Sequence, residues 1–166
     1  MGRPRFTSIV LDTSVIAKFF TSPPRSLQPA IYKREVETRK KIDLIMEIIE
    51  KCDFIVYYPR SGIVELASVL KRAGFNREEI LKIVNTIHED FTVIDEKIIY
   101  PKALDIAIER APSGFDTYFL TLSQITNSIL ITDDKSMASH GDNIGIAVLF
   151  VREATLNEIK ELLKCY

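Results

Sequence analysis

The sequence predicts an α/β fold in which a parallel sheet is covered by helices on both faces. Short, β-branched apolar runs recur along the chain, and segments with helical apolar spacing separate them. Parallel strands joined in this way normally have right-handed crossover connections. A length of 166 residues is enough to bury one core, so we expect a single domain over residues 1–166.

Five apolar runs are typical of buried strands because each is short and rich in β-branched or aromatic residues. These predicted strands span residues 6–11, 54–58, 91–94, 128–131 and 147–151. A short helix over 15–20 follows the first strand, and residues 21–32, with three prolines, predict a loop. A long helix over 33–52 comes next, so residues 21–52 form an enlarged loop and helix segment.

The other helices are predicted from apolar periodicity and from their start and stop signals. They cover residues 61–73, 100–110, 114–127 and about 135–140, and two more begin at the capping boxes of Asn76 with Glu79 and Thr155 with Glu158. Pro101 is expected in the first turn of the helix over 100–110, where proline is tolerated.

Asp12 stands where the apolar run of the first strand gives way to a carboxylate and two hydroxyl residues. Ligands of open α/β sheets bind at the carboxyl ends of the strands, so Asp12 is a candidate site residue. The alternative is that this acid only opens a turn, with Thr13 or Ser14 capping the next helix. The stretch by itself leaves both interpretations open.

Asp134 and Asp116 are similar candidates. Asp134 follows the fourth predicted strand, and Asp116 lies in the first turn of an apolar helix, on the face that approaches the sheet. An unpaired carboxylate on that face would be costly to bury. Each also has a structural explanation, because Asp134 can cap a short helix and Asp116 can pair with a cap at Ser113.

Glu65 lies opposite the apolar stripe of its helix and can face either solvent or a cleft. Asp12 and Asp134 should emerge at one edge of the sheet, and Asp116 and Glu65 can reach that edge if their helices start there. Like charges so close raise one another's pKa values or require a counter-ion. Since only oxygen ligands are available, the four acids predict Mg²⁺ or Mn²⁺, and a pair of such ions would support phosphodiester hydrolysis.

The cysteines and histidines suggest little further chemistry. Cys52 and Cys165 are far apart and outside any metal-ligand spacing, so we expect neither a disulfide framework nor a zinc site. His88 and His140 have no recognisable Ser or Cys partner, which argues against a nucleophilic triad. A membrane span and a signal peptide are not recognisable, so we expect a cytoplasmic location.

Charge is unevenly distributed, although the formal net charge is only −1. Residues 1–41 have nine Lys or Arg and three acids, a balance of +6, which leaves −7 for the remainder. The net charge argues against a strongly basic nucleic-acid binder, yet the basic stretch over 25–41 could bind an RNA backbone. Its candidate RNA contacts are Arg34, Arg39, Lys40 and Lys41. The alternative is a solvated helix face.

Four short motifs resemble those of the PIN-domain ribonucleases in their order and approximate spacing. They are Leu11-Asp12-Thr13-Ser14, Val64-Glu65-Leu66, Phe115-Asp116 at the head of an apolar helix, and Thr132-Asp133-Asp134. The resemblance covers nearly the whole chain and is greatest to small prokaryotic members, including VapC-type toxins of toxin–antitoxin pairs. The segment over 21–52 departs from it, because it is larger than in compact toxins.

The resemblance implies a five-stranded parallel sheet of order 3-2-1-4-5 and a Mg²⁺- or Mn²⁺-dependent endoribonuclease. The implied metal ligands are Asp12, Asp116 and Asp134 with assistance from Glu65, the orienting residues are Ser14 and Thr132, and Asp133 occupies a variable motif position. An RNA substrate, a homodimer and, for a toxin, an antitoxin partner are implied in the same way.

A different class of function stays open at this point. Asp12, Asp116 and Asp134 each have an adequate turn or capping role, so the chain could be a non-catalytic α/β module that regulates through RNA or protein contacts. Phosphoaspartyl chemistry is a weaker alternative. The second acid that it needs two residues after the nucleophile is replaced here by Ser14.

Overall fold

The computed structural model describes residues 6–165 and confirms the predicted α/β class. The strands are β1 Ser8–Leu11, β2 Ile55–Pro59, β3 Thr92–Ile94, β4 Ile129–Thr132 and β5 Val148–Phe150. They form one sheet in the order β3-β2-β1-β4-β5, and every pairing is parallel. The order and direction expected from the sequence are therefore confirmed.

Eight helices connect and follow these strands within the described residues. They are α1 Thr13–Phe20, α2 Pro29–Lys51, α3 Arg60–Arg72, α4 Arg77–Asp90, α5 Glu96–Arg110, α6 Gly114–Thr126, α7 Lys135–Asn143 and α8 Leu156–Leu162. Across residues 6–165, none of them is both long enough and apolar enough for a bilayer crossing.

β1 occupies the centre of the sheet and of the core. Ile9, Val10 and Leu11 are each fully buried. Because successive strand residues point to opposite faces, this burial means that helices cover the sheet on both sides. The helix α6 packs on β1 and β2, while α1 contacts α3. An unbroken apolar run is the sequence pattern that such a central strand needs.

The carboxyl ends of β1 and β4 bring two functional stretches side by side. Leu11 pairs with Ile131, and the Asp12 N–H donates to the Ile131 carbonyl at 2.9 Å. Asp12 therefore leaves the sheet next to Thr132, although 120 residues separate them in sequence.

Two helix starts differ from the predictions. The long helix begins at Pro29 rather than at residue 33, because proline is suited to the first helical position. The helix expected to open at residue 100 begins at Glu96, where the Asp95 carboxylate accepts from the Lys97 N–H at 3.0 Å. Pro101 consequently lies inside α5, so its placement in the first turn was wrong.

The expectation for the cysteines was also wrong. Cys52 and Cys165 form a disulfide, with their Cα atoms 5.2 Å apart and 113 residues between them in sequence. The contact between α2 and α8 brings the end of the long helix to the C-terminal segment. Spacing along the chain could not reveal this approach, because it depends on how the two helices pack.

Candidate active site

The four predicted acids line one cavity at the carboxyl edge of the sheet. This cavity, which we call the acid cleft, has a volume of about 180 Å³, and its walls include Asp12, Glu65, Asp116 and Asp134. The acids come from the ends of β1 and β4 and from the helices α3 and α6. The convergence expected from the sequence is present in the structure.

Asp12 is the most buried of the four acids, with 6% of its surface exposed. Its carboxylate accepts hydrogen bonds from the hydroxyls of Ser14 at 2.6 Å and Thr132 at 2.7 Å. Burial raises the pKa of Asp12 from 3.8 to about 6, against the opposing effect of those two bonds. The nearby charges of Glu65 and Asp116 raise this pKa further. Ionisation of Asp12 at neutral pH therefore costs free energy in the folded protein.

The two hydroxyls that serve Asp12 are oriented by the backbone. Ser14 Oγ accepts from the Asp133 N–H at 3.1 Å, and Thr132 Oγ1 accepts from the Asp134 N–H at 3.0 Å. A hydroxyl has one proton to donate, so each one points its proton at Asp12. Ser14 and Thr132 therefore both hold the Asp12 carboxylate by hydrogen bonds.

Glu65 faces the acid cleft, a choice that the helical pattern left open. Its Oε2 accepts from the Thr13 hydroxyl at 2.7 Å. Thr13 also lies 3.0 Å from the Tyr58 hydroxyl, which in turn contacts the Gly62 carbonyl. Burial raises the pKa of Tyr58 well above its ordinary value, so this phenol stays neutral. The sequence pattern did not reveal either hydroxyl as a support of Glu65, although Thr13 is part of the motif around Asp12.

Asp116 and Asp134 have the capping positions that were considered as alternatives, and they also line the cleft. The Ser113 hydroxyl accepts from the Asp116 N–H at 3.3 Å, and Asp134 Oδ1 accepts from the Met137 N–H at 2.8 Å. Burial raises the pKa of Asp116, and the charge of Asp134 adds to this effect. A place in a helix cap and a place in the wall of the acid cleft are thus compatible for these two residues.

Asp133 has a different environment from Asp134. Its fully buried side chain accepts from Lys18 at 2.5 Å and from Arg152 at 2.8 Å. Glu35 of α2 pairs with the same two cations. This ion-pair cluster of Lys18, Glu35, Asp133 and Arg152 joins α1, α2 and the segments after β4 and β5. It was missed because its members are distant in sequence.

The acid cleft brings the motif residues together, and comparison with known families gives one match. A family model described as the PIN domain matches residues 9–143. The chain belongs to the PIN-domain family. No curated protein sequence matches the chain. PIN domains are generally nucleases that act on RNA and usually use divalent metals, and the acid cleft of this PIN domain lies within the matched residues.

The donor chemistry of this PIN domain fits a hard divalent cation, although the cleft is not a preformed cage. Across residues 6–165, no group of three or more His, Cys, Asp or Glu side chains is arranged to hold a metal. Mg²⁺ does not require such a group, since it is usually bound by one or two carboxylates and keeps several waters. The four carboxylates supply only oxygen ligands, and the pKa values of Asp12 and Asp116 are raised by burial first and by the neighbouring acids to a smaller extent.

The four predicted RNA contacts of this PIN domain have different environments in the structure. Lys41 donates to the Val151 and Arg152 carbonyls at 3.3 and 2.9 Å, which ties α2 to the end of β5. The guanidinium of Arg39 donates to Asp43 and to the Thr21 carbonyl. Arg34 and Lys40 are exposed. Lys41 and Arg39 therefore also have structural roles.

Proposed function

We propose that this PIN domain is a Mg²⁺- or Mn²⁺-dependent endoribonuclease that hydrolyses RNA phosphodiester bonds in the acid cleft. The observation that supports the proposal is the convergence of Asp12, Glu65, Asp116 and Asp134 on one cavity, with the pKa of Asp12 raised to about 6. A cation bound among these carboxylates would favour their ionised forms against burial and mutual repulsion, and RNA hydrolysis is a reaction in which such a cation is useful.

The residues of the chain divide the proposed work between binding and orientation. Asp12, Asp116 and Asp134 would hold the metal, with Glu65 assisting. Bound there, a divalent ion supplies water activation and stabilises the charge that develops at phosphorus. Ser14 and Thr132 hold the Asp12 carboxylate in one orientation through bonds of 2.6 and 2.7 Å.

The proposal is tested by replacing acids of the cleft. Asp12→Asn and Asp116→Asn should each abolish cleavage of a single-stranded RNA in Mg²⁺ or Mn²⁺, as should excess EDTA with the wild type. Asp105→Asn is the matched control, because Asp105 is an exposed acid of α5 outside the cleft. Full activity of either cleft variant, or of the wild type in EDTA, would refute the assignment.

A non-catalytic module is the second candidate, because the Asp134 carboxylate and the Ser113 hydroxyl both serve as helix caps. Calorimetry with Mn²⁺ separates the two candidates. Heat of binding to the wild type, reduced in Asp12→Asn, supports the nuclease. The absence of both binding and cleavage supports the module.

The proposed RNA backbone contacts are tested by the dependence of binding on salt. The residues to neutralise are Arg34, Arg39, Lys40 and Lys41. Since each lost phosphate contact lowers the slope of log K against log salt by about 0.7 on single strands, the variant should bind more weakly and with a flatter slope. An unchanged slope leaves these cations with structural roles only.

We extend the proposal to a cytoplasmic VapC-type toxin that forms a homodimer and binds an antitoxin. Its support is the motif resemblance alone, and the segment over 21–52, which contains the proline-rich loop and the 23-residue α2, departs from that resemblance. A short reading frame directly upstream that encodes a small DNA-binding protein would support the toxin role. Light scattering of the purified chain tests the dimer, and a monomeric mass rejects it.

A further inference from the structure

A second cavity lies beside the acid cleft, between α1, the loop that follows it and α2. This α1–α2 pocket has a volume of about 210 Å³, and most of its lining is apolar. We propose that it holds one nucleobase of the RNA strand whose phosphodiester lies in the acid cleft. The inference rests on the proposed ribonuclease function and adds a substrate subsite to it.

The pocket and the acid cleft follow one another along a single face of α1. Ser14 and Ala17 line the cleft, while Lys18 and Thr21 line the pocket. Positions i, i+3, i+4 and i+7 lie on one side of a helix, and one helical turn rises about 5.4 Å. A strand with a phosphate at the cleft therefore reaches the pocket with a neighbouring nucleotide.

The size and walls of the pocket suit a single planar ring system. Pockets for drug-sized ligands measure roughly 300–1,000 Å³, so this one is smaller. Pro23, Pro24, Leu27 and Ile31 supply apolar walls. Because proline restricts the backbone, the two consecutive prolines help to keep the loop wall in place. A rigid apolar slot favours the face of a base over a flexible polar ligand.

Arg39 adds a fixed planar group to the lining. Its guanidinium donates to Asp43 at 2.8 Å and to the Thr21 carbonyl, and it lies 5.6 Å from the centre of the Phe19 ring. Bases splayed out of a single strand commonly stack on guanidinium planes. Arg34, which follows the lining residue Ile31 by about one helical turn, is exposed and lies 3.5 Å from Glu35, so its positive charge is close to the pocket.

The pocket is built for stacking more than for reading base edges. Its other charged lining residues, Lys18 and Glu35, pair with each other. Lys18 also pairs with the buried Asp133, and Glu35 also pairs with Arg152. Their hydrogen-bonding capacity is therefore largely used within the protein. Base stacking tolerates every base, so we expect the pocket to increase RNA affinity with little sequence preference.

A scan with abasic RNA tests the pocket. The probe is a labelled single-stranded RNA of mixed sequence, in which each nucleotide in turn lacks its base. Its affinity for the Asp12→Asn chain in Mg²⁺ is measured by fluorescence anisotropy, and the wild type with Mn²⁺ maps the cleaved bond. Removing the base next to that bond should raise Kd roughly tenfold.

Two substitutions then link this loss to the pocket. Ile31→Trp fills the pocket, and Arg39→Lys keeps the positive charge but removes the planar guanidinium on which a base could stack. On the Asp12→Asn background, each should weaken binding of the intact RNA and reduce the loss caused by the missing base. Ile108→Trp is the matched control, since Ile108 is 75% exposed on α5 and does not line the pocket.

Equal binding of intact and abasic RNAs at every position would overturn the inference, as would wild-type affinity in Ile31→Trp. The second result would favour an apolar side chain of a protein partner as the occupant. If Ile31→Trp does not fold, the abasic scan and Arg39→Lys still decide. A wild type that neither cleaves nor binds RNA refutes the proposed function itself. Cleavage by the wild type, together with equal affinity for every abasic RNA, refutes only the proposed base-binding role of the pocket.

Discussion

Replacing Asp12 with Asn should stabilise the protein while abolishing the proposed activity. The pKa of Asp12 is raised from 3.8 to about 6 in the folded chain, so its ionisation costs about 3 kcal/mol of stability at neutral pH. Asparagine is neutral and similar in shape to the protonated acid. Its amide oxygen can still accept from Ser14 and Thr132. The gain of about 3 kcal/mol would appear as several degrees in Tm for a domain of this size.

The stability gain should depend on pH in a defined way. A carboxyl whose folded pKa is raised binds its proton more tightly in the folded state, so the wild type loses stability as pH rises from about 4 to about 6. The variant lacks this contribution. Denaturant unfolding in EDTA should therefore give equal stabilities below about pH 4 and a constant difference above about pH 6.

Asp133→Asn is the control with the same chemistry and the opposite expected sign. The Asp133 carboxylate is fully buried and paired with Lys18 and Arg152, so neutralising it should lower stability by about 3–5 kcal/mol. The reasoning fails if Asp12→Asn is no more stable than the wild type at neutral pH. It fails equally if the difference in stability between the wild type and Asp12→Asn does not change with pH.

Three further predictions concern the supports of the site and the disulfide. Gly62→Ala should cost about 1–3 kcal/mol in denaturant unfolding, since a Cβ there would lie 2.8 Å from the rings of Tyr58 and Phe119; unchanged stability contradicts this packing. Thr13→Val should weaken Mn²⁺ binding by about 10–100-fold in calorimetry, because it removes the donor to Glu65, and equal affinity would exclude that role. Cys165→Ser should lower stability by about 2–5 kcal/mol, and a reducing agent should then destabilise the wild type but not the variant.

The fold and the positions of Asp12, Asp116 and Asp134 at the sheet edge could be predicted because their signals are local. Asp12 directly follows β1, Asp134 lies two residues after β4, and Asp116 stands in the first turn of its helix. Parallel strands place such residues at one edge, whatever the details of packing. Glu65 could be placed on its helix but not oriented, since its direction depends on the Thr13 hydroxyl that reaches it from α1.

The features that could not be predicted depend on contacts between distant segments. The role of Asp133 depends on Lys18 and Arg152, which lie 115 and 19 residues away. The disulfide depends on the packing of α2 against α8. The start of α5 has a local signal, the capping carboxylate of Asp95, which the prediction from Pro101 did not include.

The position of the disulfide divides the chain mechanically. The covalent ring closed by Cys52 and Cys165 contains β2 to β5, whereas β1 lies outside it. A force applied to the two ends would pull the central strand out of the sheet until the disulfide stops further extension, since the 51 residues before Cys52 extend to only about 170–180 Å. An oxidised molecule would thus show a short contour length in force spectroscopy, and loss of Asp12 from the site would be among its first events.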